Sequence, residues 1–153
     1  MDVLLQDLDD DDRELVQAAK AVIDANTDTQ HTDEPGVHTV GAAVRDSDGR
    51  VHVGVNLAHF TGGPCAELVA LGSARARGAR RLRTIVAVGN HGRGVMGPCG
   101  RDRQILFDYH PGIRVLLPTG EGVRVTTIEA LMPYAAMWTV DAGTQGFDPA
   151  RFA

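Results

Sequence analysis

Strands alternating with helices after an opening hairpin predict an α/β domain built on one mixed sheet covered on both faces. Three observations carry that reading. VHTVGAAV and VHVGVNL flank RDSDGR, whose Asp48-Gly49 is a hairpin turn signal. TIVAVGN is short and nearly all apolar, as a strand buried on both faces is. Around them lie stretches with apolar residues at helical spacing.

Taken in order, Leu15, Ala18, Ala19, Val22 and Ile23 recur at three-and-four spacing, which predicts a helix over 12–25 with Asp10 to Asp12 as caps. The polar stretch NTDTQHTDEPG leads into the hairpin. A helix follows over 64–77, then TIVAVGN, then HGRGVMG, read as a Gly-rich loop giving the backbone room to approach a pocket. A helix over 99–107, strands RVLLP and VRVTT and a short helical piece at IEALM complete the domain. The expected boundaries are an acidic N-terminal segment over 1–11, a folded domain over 12–140 and a loosely structured tail over 141–153.

With 153 residues the chain is about one domain, and 43% hydrophobic against 23% charged residues is the balance of a soluble globular protein. No apolar run approaches the ~20 residues of a membrane helix, and MDVLLQDLDDDDRE is acidic where a signal peptide is basic, so a cytoplasmic location is expected. Seven acids and one arginine in residues 1–14 carry -6 of the net -5, leaving +1 for the remainder. A nucleic-acid binder needs a basic face to displace counterions, so this near-neutral domain argues against a polynucleotide partner.

Chemistry concentrates at two places. The only cysteines, Cys65 and Cys99, each follow Gly-Pro at the start of a predicted helix. Unpaired N–H groups and the helix dipole there are expected to lower a thiol's pKa. Cys99 and Asp102 are three apart and share a helix face. Two thiolates and a carboxylate suit zinc, and three protein ligands leave a fourth position for water, the mark of a catalytic site. Glu67, two residues past Cys65, is then placed to carry a proton. Read without a metal, the cysteines are buried hydrophobes and Glu67 a first-turn glutamate favoured by the dipole. A His59–Cys65 nucleophile pair lacks a third orienting group. Arg101 and Arg103 flank Asp102, and either could offset the excess anionic charge of such a centre; position alone does not discriminate.

The order C-x-E, about thirty residues, then P-C-x-x-ligand is that of zinc nucleobase deaminases. VNLAHFTGGPCAELVALG and GPCGRDRQILFDYHPGI, with TVGAAV before them and LMPYAAMW after, resemble the cytidine deaminase-like family, and within it the blasticidin S deaminase branch, over roughly residues 12–138. The resemblance implies a three-layer α/β/α fold with a five-stranded mixed sheet, a homotetramer, and Zn2+ held by Cys65 and Cys99 with Glu67 as proton shuttle. It further implies that Asn56 hydrogen-bonds a sugar, that His38 takes the place of a base-stacking aromatic, and that Trp138 helps close the substrate pocket. Ala58 stands where the cytidine enzymes carry a sugar-binding glutamate. Asp102 stands where the family has a third cysteine.

The expected function is therefore hydrolytic deamination of a small cytosine-like nucleoside, nucleobase or related aminated heterocycle, with release of ammonia. The alternative is a noncatalytic deaminase-like binding or assembly protein whose zinc is lost at Asp102.

Overall fold

The computed structural model describes residues 4–28, 37–139 and 143–144. Helix α1 (Asp10–Asn26) precedes strands β1 (Val40–Asp46) and β2 (Val51–Val55). Helix α2 (Ala66–Ala76), β3 (Leu82–Gly89), β4 (Gly94–Met96) and α3 (Gly100–Tyr109) follow. After them come β5 (Arg114–Thr119), β6 (Gly122–Thr127), a 3₁₀ turn (Ile128–Leu131) and a two-stranded ladder of β7 (Trp138–Thr139) with β8 (Gly143–Thr144).

The main sheet runs β2-β1-β3-β5-β6, and β4 adds a short sixth strand against β3. It is mixed: β3 pairs with β5 in parallel, and every other pairing is antiparallel. Period-two alternation divides the side chains between two cores. Ala42, Val44, Ile85, Ala87 and Val115 face Ala66, Ala70 and Ala74 of α2 and Leu106 of α3. Ala43, Val86, Val88, Leu116 and Val125 face Leu15 and Ala19 of α1. One helix on one face and two on the other make the three-layer α/β/α arrangement. The fully apolar stretch IVAV is explained by this: both of its faces are covered.

α1 starts two residues earlier than periodicity suggests, because Asp9 caps it. The Asp9 side chain accepts from the Asp12 N–H and Asp12 returns a bond to the Asp9 N–H. Asp12 is buried and forms a two-pronged ion pair with Arg114 of β5, at 2.8 and 2.7 Å. The acidic segment ahead of the helix is tied to β6 through Gln6 and Val125.

One expectation changes at HGRGVMG. It is not a simple loop: a turn at 90–93 sends β4 back along β3, in the register Ala87↔Met96 to Gly89↔Gly94. Gly92 (φ 72) and Gly94 (φ 79) supply left-handed backbone, and a Cβ on either would meet nothing within 4 Å, so these glycines serve the turn rather than a close approach. Close approach occurs at Gly54, where a Cβ would lie 2.4 Å from the Ala70 nitrogen, letting α2 settle onto β2. In the tail expected over 141–153, residues 143–144 pair with β7; 141–142 and 145–153 lie outside the described residues. Among the described residues, no helix is long and apolar enough to cross a membrane.

Candidate metal centre and active site

α2 and α3 begin on the same face of the sheet, so their N-termini converge. Cys65 and Cys99 are the N-cap residues, both in extended backbone and neither using its sulfur as a cap. Each sulfur is therefore free to face its counterpart, and Cys65 Sγ lies 3.6 Å from Cys99 Sγ. One turn into α3, Asp102 turns inward and its Oδ2 accepts from the Cys99 thiol at 3.2 Å. Ligand atoms of Cys65, Cys99 and Asp102 all lie within 4.8 Å of one another.

These residues fit a zinc ion on the chemistry of the donor set. Asp102 is 1% exposed, yet its Oδ1 has no hydrogen-bond partner. A buried carboxylate oxygen left without a partner costs about 1–3 kcal/mol or more, and a cation would relieve it. The second positive influence is the pair of helix N-termini aimed at the same point.

Burial reverses one expectation. A helix start by itself lowers a thiol's pKa, but at Cys65 desolvation, aided by the Asp102 carboxylate, pushes it up to about 12 against the pull of Arg101. In the metal-free chain Cys65 is held as a thiol, and a metal must displace its proton. Glu67, buried in the first turn of α2, is lifted to about 7 by desolvation first and by the Asp102 charge second. A carboxyl that titrates near neutrality can both take and give a proton.

The two flanking arginines separate. Arg101 donates to the carbonyls of Gly62 (3.1 Å) and Gly63 (2.8 Å), and its NH2 group lies 3.7 Å from Cys65 Sγ. It couples the TGG loop to the sulfur pair. Arg103 instead donates to the Pro98 carbonyl at 2.9 Å, bracing the turn into α3. His59 is exposed and bonded to Thr61.

Asn56 and His38 stand together at the open end of β1 and β2. Asn56 Oδ1 accepts from the Thr39 and Val40 N–H groups at 2.8 and 2.9 Å, while its Nδ2 makes a longer 3.3 Å bond to Thr39 Oγ1. His38 Nδ1 meets the Asn56 carbonyl at 2.7 Å. Trp138 is elsewhere in the single chain. Its backbone N–H donates to Asp108 Oδ1 at 2.8 Å and its ring meets Tyr109 edge-on at 6.4 Å, six to seven residues along α3 from Asp102. That edge borders a cavity of about 660 Å³ lined by Leu68, Leu71, Ile105, Tyr109 and His110 among others, which includes none of the donor residues.

Arg93 lies in the Gly-rich stretch HGRGVMG, where no sequence motif singles it out. It is pinned at the same sheet end, donating to Asn90 Oδ1 (2.8 Å) and the Thr39 carbonyl (2.6 Å). Only the pairing of β4 with β3 brings it there.

No family model matches the chain. Its sequence is 36% identical to blasticidin-S deaminase of Bacillus cereus over 109 residues, 65% of this chain and 78% of that protein. It is 37% identical to cytidine deaminase of Mycobacterium tuberculosis over 98 residues, 63% of this chain and 71% of the relative. The fold superposes on the crystal structure of cytidine deaminase from Burkholderia pseudomallei with a TM-score of 0.63 at 34% identity, covering 80% of this chain and 97% of that one. Sequence and fold agree, and the chain belongs to the cytidine deaminase-like family.

Proposed function

We propose that this protein is a zinc-dependent aminohydrolase that removes the exocyclic amine of a small cytosine-like nucleoside, free base or related heterocycle. The observation that carries the reading is the meeting of Cys65, Cys99 and Asp102 around one point, with a buried carboxyl, Glu67, whose pKa is about 7 beside it. Cys65, Cys99 and Asp102 would hold the metal. Bound zinc supplies Lewis acidity that makes water a competent nucleophile near neutral pH.

Glu67 does the proton work. Ionised, it accepts a proton from the attacking water and passes it to the ring nitrogen beside the amino-bearing carbon, while the water oxygen adds to that carbon. It then takes the remaining hydroxyl proton and delivers it to the amine, the C–N bond breaks, and ammonia leaves behind a ring carbonyl. Asn56 retains Nδ2 for a sugar hydroxyl, because Oδ1 is committed to the backbone of β1. His38, fixed through Nδ1 by Asn56, offers a ring face to the base.

Trp138 can close a pocket only if neighbouring copies assemble, since in one chain it packs on Tyr109. A homotetramer is supported by the apolar surface one chain leaves open: Phe60 is 94% exposed and the α2–α3 groove is lined by Leu68, Leu71 and Ile105.

Metal analysis of purified protein together with ammonia release from a panel of cytidine, deoxycytidine, cytosine, blasticidin S and s-triazine amines tests the reading. About one zinc per chain with turnover of at least one compound is expected. Less than about half a zinc ion per chain, or binding without ammonia release, would favour a noncatalytic binding protein.

A further inference from the structure

The two sulfurs that face each other are also positioned to react with one another. A disulfide bond is about 2.05 Å long, so the 3.6 Å gap closes when the sulfurs approach by roughly 1.5 Å. Both cysteines are N-caps whose side chains hold no capping bond. Rotating them therefore sacrifices no cap, and the helical bonds to the Cys65 and Cys99 carbonyls are made by the main chain. Cys99 is exposed and Cys65 half-buried, so an oxidant meets Cys99 first. The chain has no other cysteine, so neither thiol has a competing partner within the molecule. The third donor is a carboxylate, which cannot enter a disulfide.

We infer that Cys65 and Cys99 form a reversible disulfide on exposure to peroxide, and that this single bond strips the centre of both sulfur donors at once. A centre with three thiolates would keep one sulfur after such a step; here only Asp102 remains, and one carboxylate does not hold zinc. The loss of zinc rests on the zinc reading above, whereas the disulfide does not.

The chemistry balances with a hydroperoxide as oxidant. The Cys99 sulfur attacks a peroxide oxygen, the O–O bond breaks, the departing hydroxide takes the Cys99 thiol proton and leaves as water, and a sulfenic acid remains. The Cys65 sulfur then attacks the Cys99 sulfur, the S–S bond forms and the S–O bond breaks, and the departing hydroxide carries away the Cys65 proton as water. Two thiols and one hydrogen peroxide give one disulfide and two waters, two electrons passing from sulfur to oxygen. A dithiol reductant reverses the step by exchange.

The full chain, reduced and zinc-loaded, is treated with hydrogen peroxide beside a metallochromic indicator, with thiol titration and intact-mass measurement in parallel. The expected result is release of about one zinc per chain in step with loss of both thiols and a mass about 2 Da lower. Trypsin should then yield a linked pair of peptides, 51–75 and 94–101, which hold one cysteine each. Dithiothreitol with added zinc should restore the starting state, and neither Cys65→Ser nor Cys99→Ser should give the linked pair. Mass gains of roughly 32 Da or more from sulfinic or sulfonic acids, links only between chains, or zinc release with both thiols intact would overturn the inference. Should the reduced protein bind no zinc, the zinc reading fails alone, and the same peptide map on metal-free protein decides the disulfide.

Discussion

Glu67 and Arg101 do different work although each sits at a helix start. Glu67 is buried beside Asp102, and Glu67→Gln keeps size and packing while removing the group proposed to move protons. Zinc content and thermal unfolding should stay near wild type while kcat for ammonia release falls about 10²–10⁴-fold. Near-normal release would remove Glu67 from the mechanism. Arg101 lies against a sulfur and two loop carbonyls. Arg101→Ala should weaken zinc binding roughly tenfold or more in a chelator competition, because the guanidinium offsets anionic charge at Cys65 and anchors the Gly62–Gly63 carbonyls. Arg103→Ala should leave zinc affinity unchanged. The pKa of Glu67 also sets a pH dependence. Its folded value, about 7, lies above its ordinary 4.5, so the folded chain binds more protons than the unfolded one between those values. Stability of the metal-free protein, read as Tm, should therefore fall as pH rises from about 4.5 through 7. Zinc should flatten that slope by compensating the charges of Asp102 and Glu67.

Between elements, two buried carboxylates hold the scaffold that presents these groups. Asp12 locks α1 to β5 through Arg114, and Asp12→Ala leaves that guanidinium without its main partner. A loss of about 3 kcal/mol in urea unfolding is expected. Asp46 ends β1 and accepts from the Asp48 and Arg50 N–H groups, the Arg50 side chain and buried His52. Burial opposes its ionisation, but these bonds win and hold its carboxyl near 2. Its folded pKa is depressed, so its stabilisation is present above about pH 4 and is lost as pH falls toward 2. Asp46→Asn should flatten that acid limb of a Tm against pH curve. The element pattern itself was largely readable. Apolar alternation, the Asp48-Gly49 turn and the two Gly-Pro helix starts are local signals, and they place α2, α3 and the hairpin within two or three residues. β4 escaped because three residues containing a glycine carry no periodicity; its pairing with β3 comes from the left-handed turn before it.

In the whole molecule, the apolar surface on the outer side of α2 and α3 is where the proposed tetramer is tested. Leu71→Glu would put a charge in that groove without touching the donor residues. Sedimentation should show tetramers for wild type and smaller species for the variant, with zinc still bound; a monomeric wild type would count against assembly. Turn chemistry, strand alternation and the order of cysteine, glutamate and aspartate along the chain were determined by the sequence by itself, because each is a relation among near neighbours or a pattern of donor types. Tertiary structure decided that two sulfurs 34 positions apart lie 3.6 Å from each other, that Arg101 rather than Arg103 reaches them, and that Cys65 is held protonated where a helix start alone would favour the thiolate. Desolvation and Coulomb energies depend on distance through space and on what excludes water, and neither quantity is written in the spacing of residues along a chain.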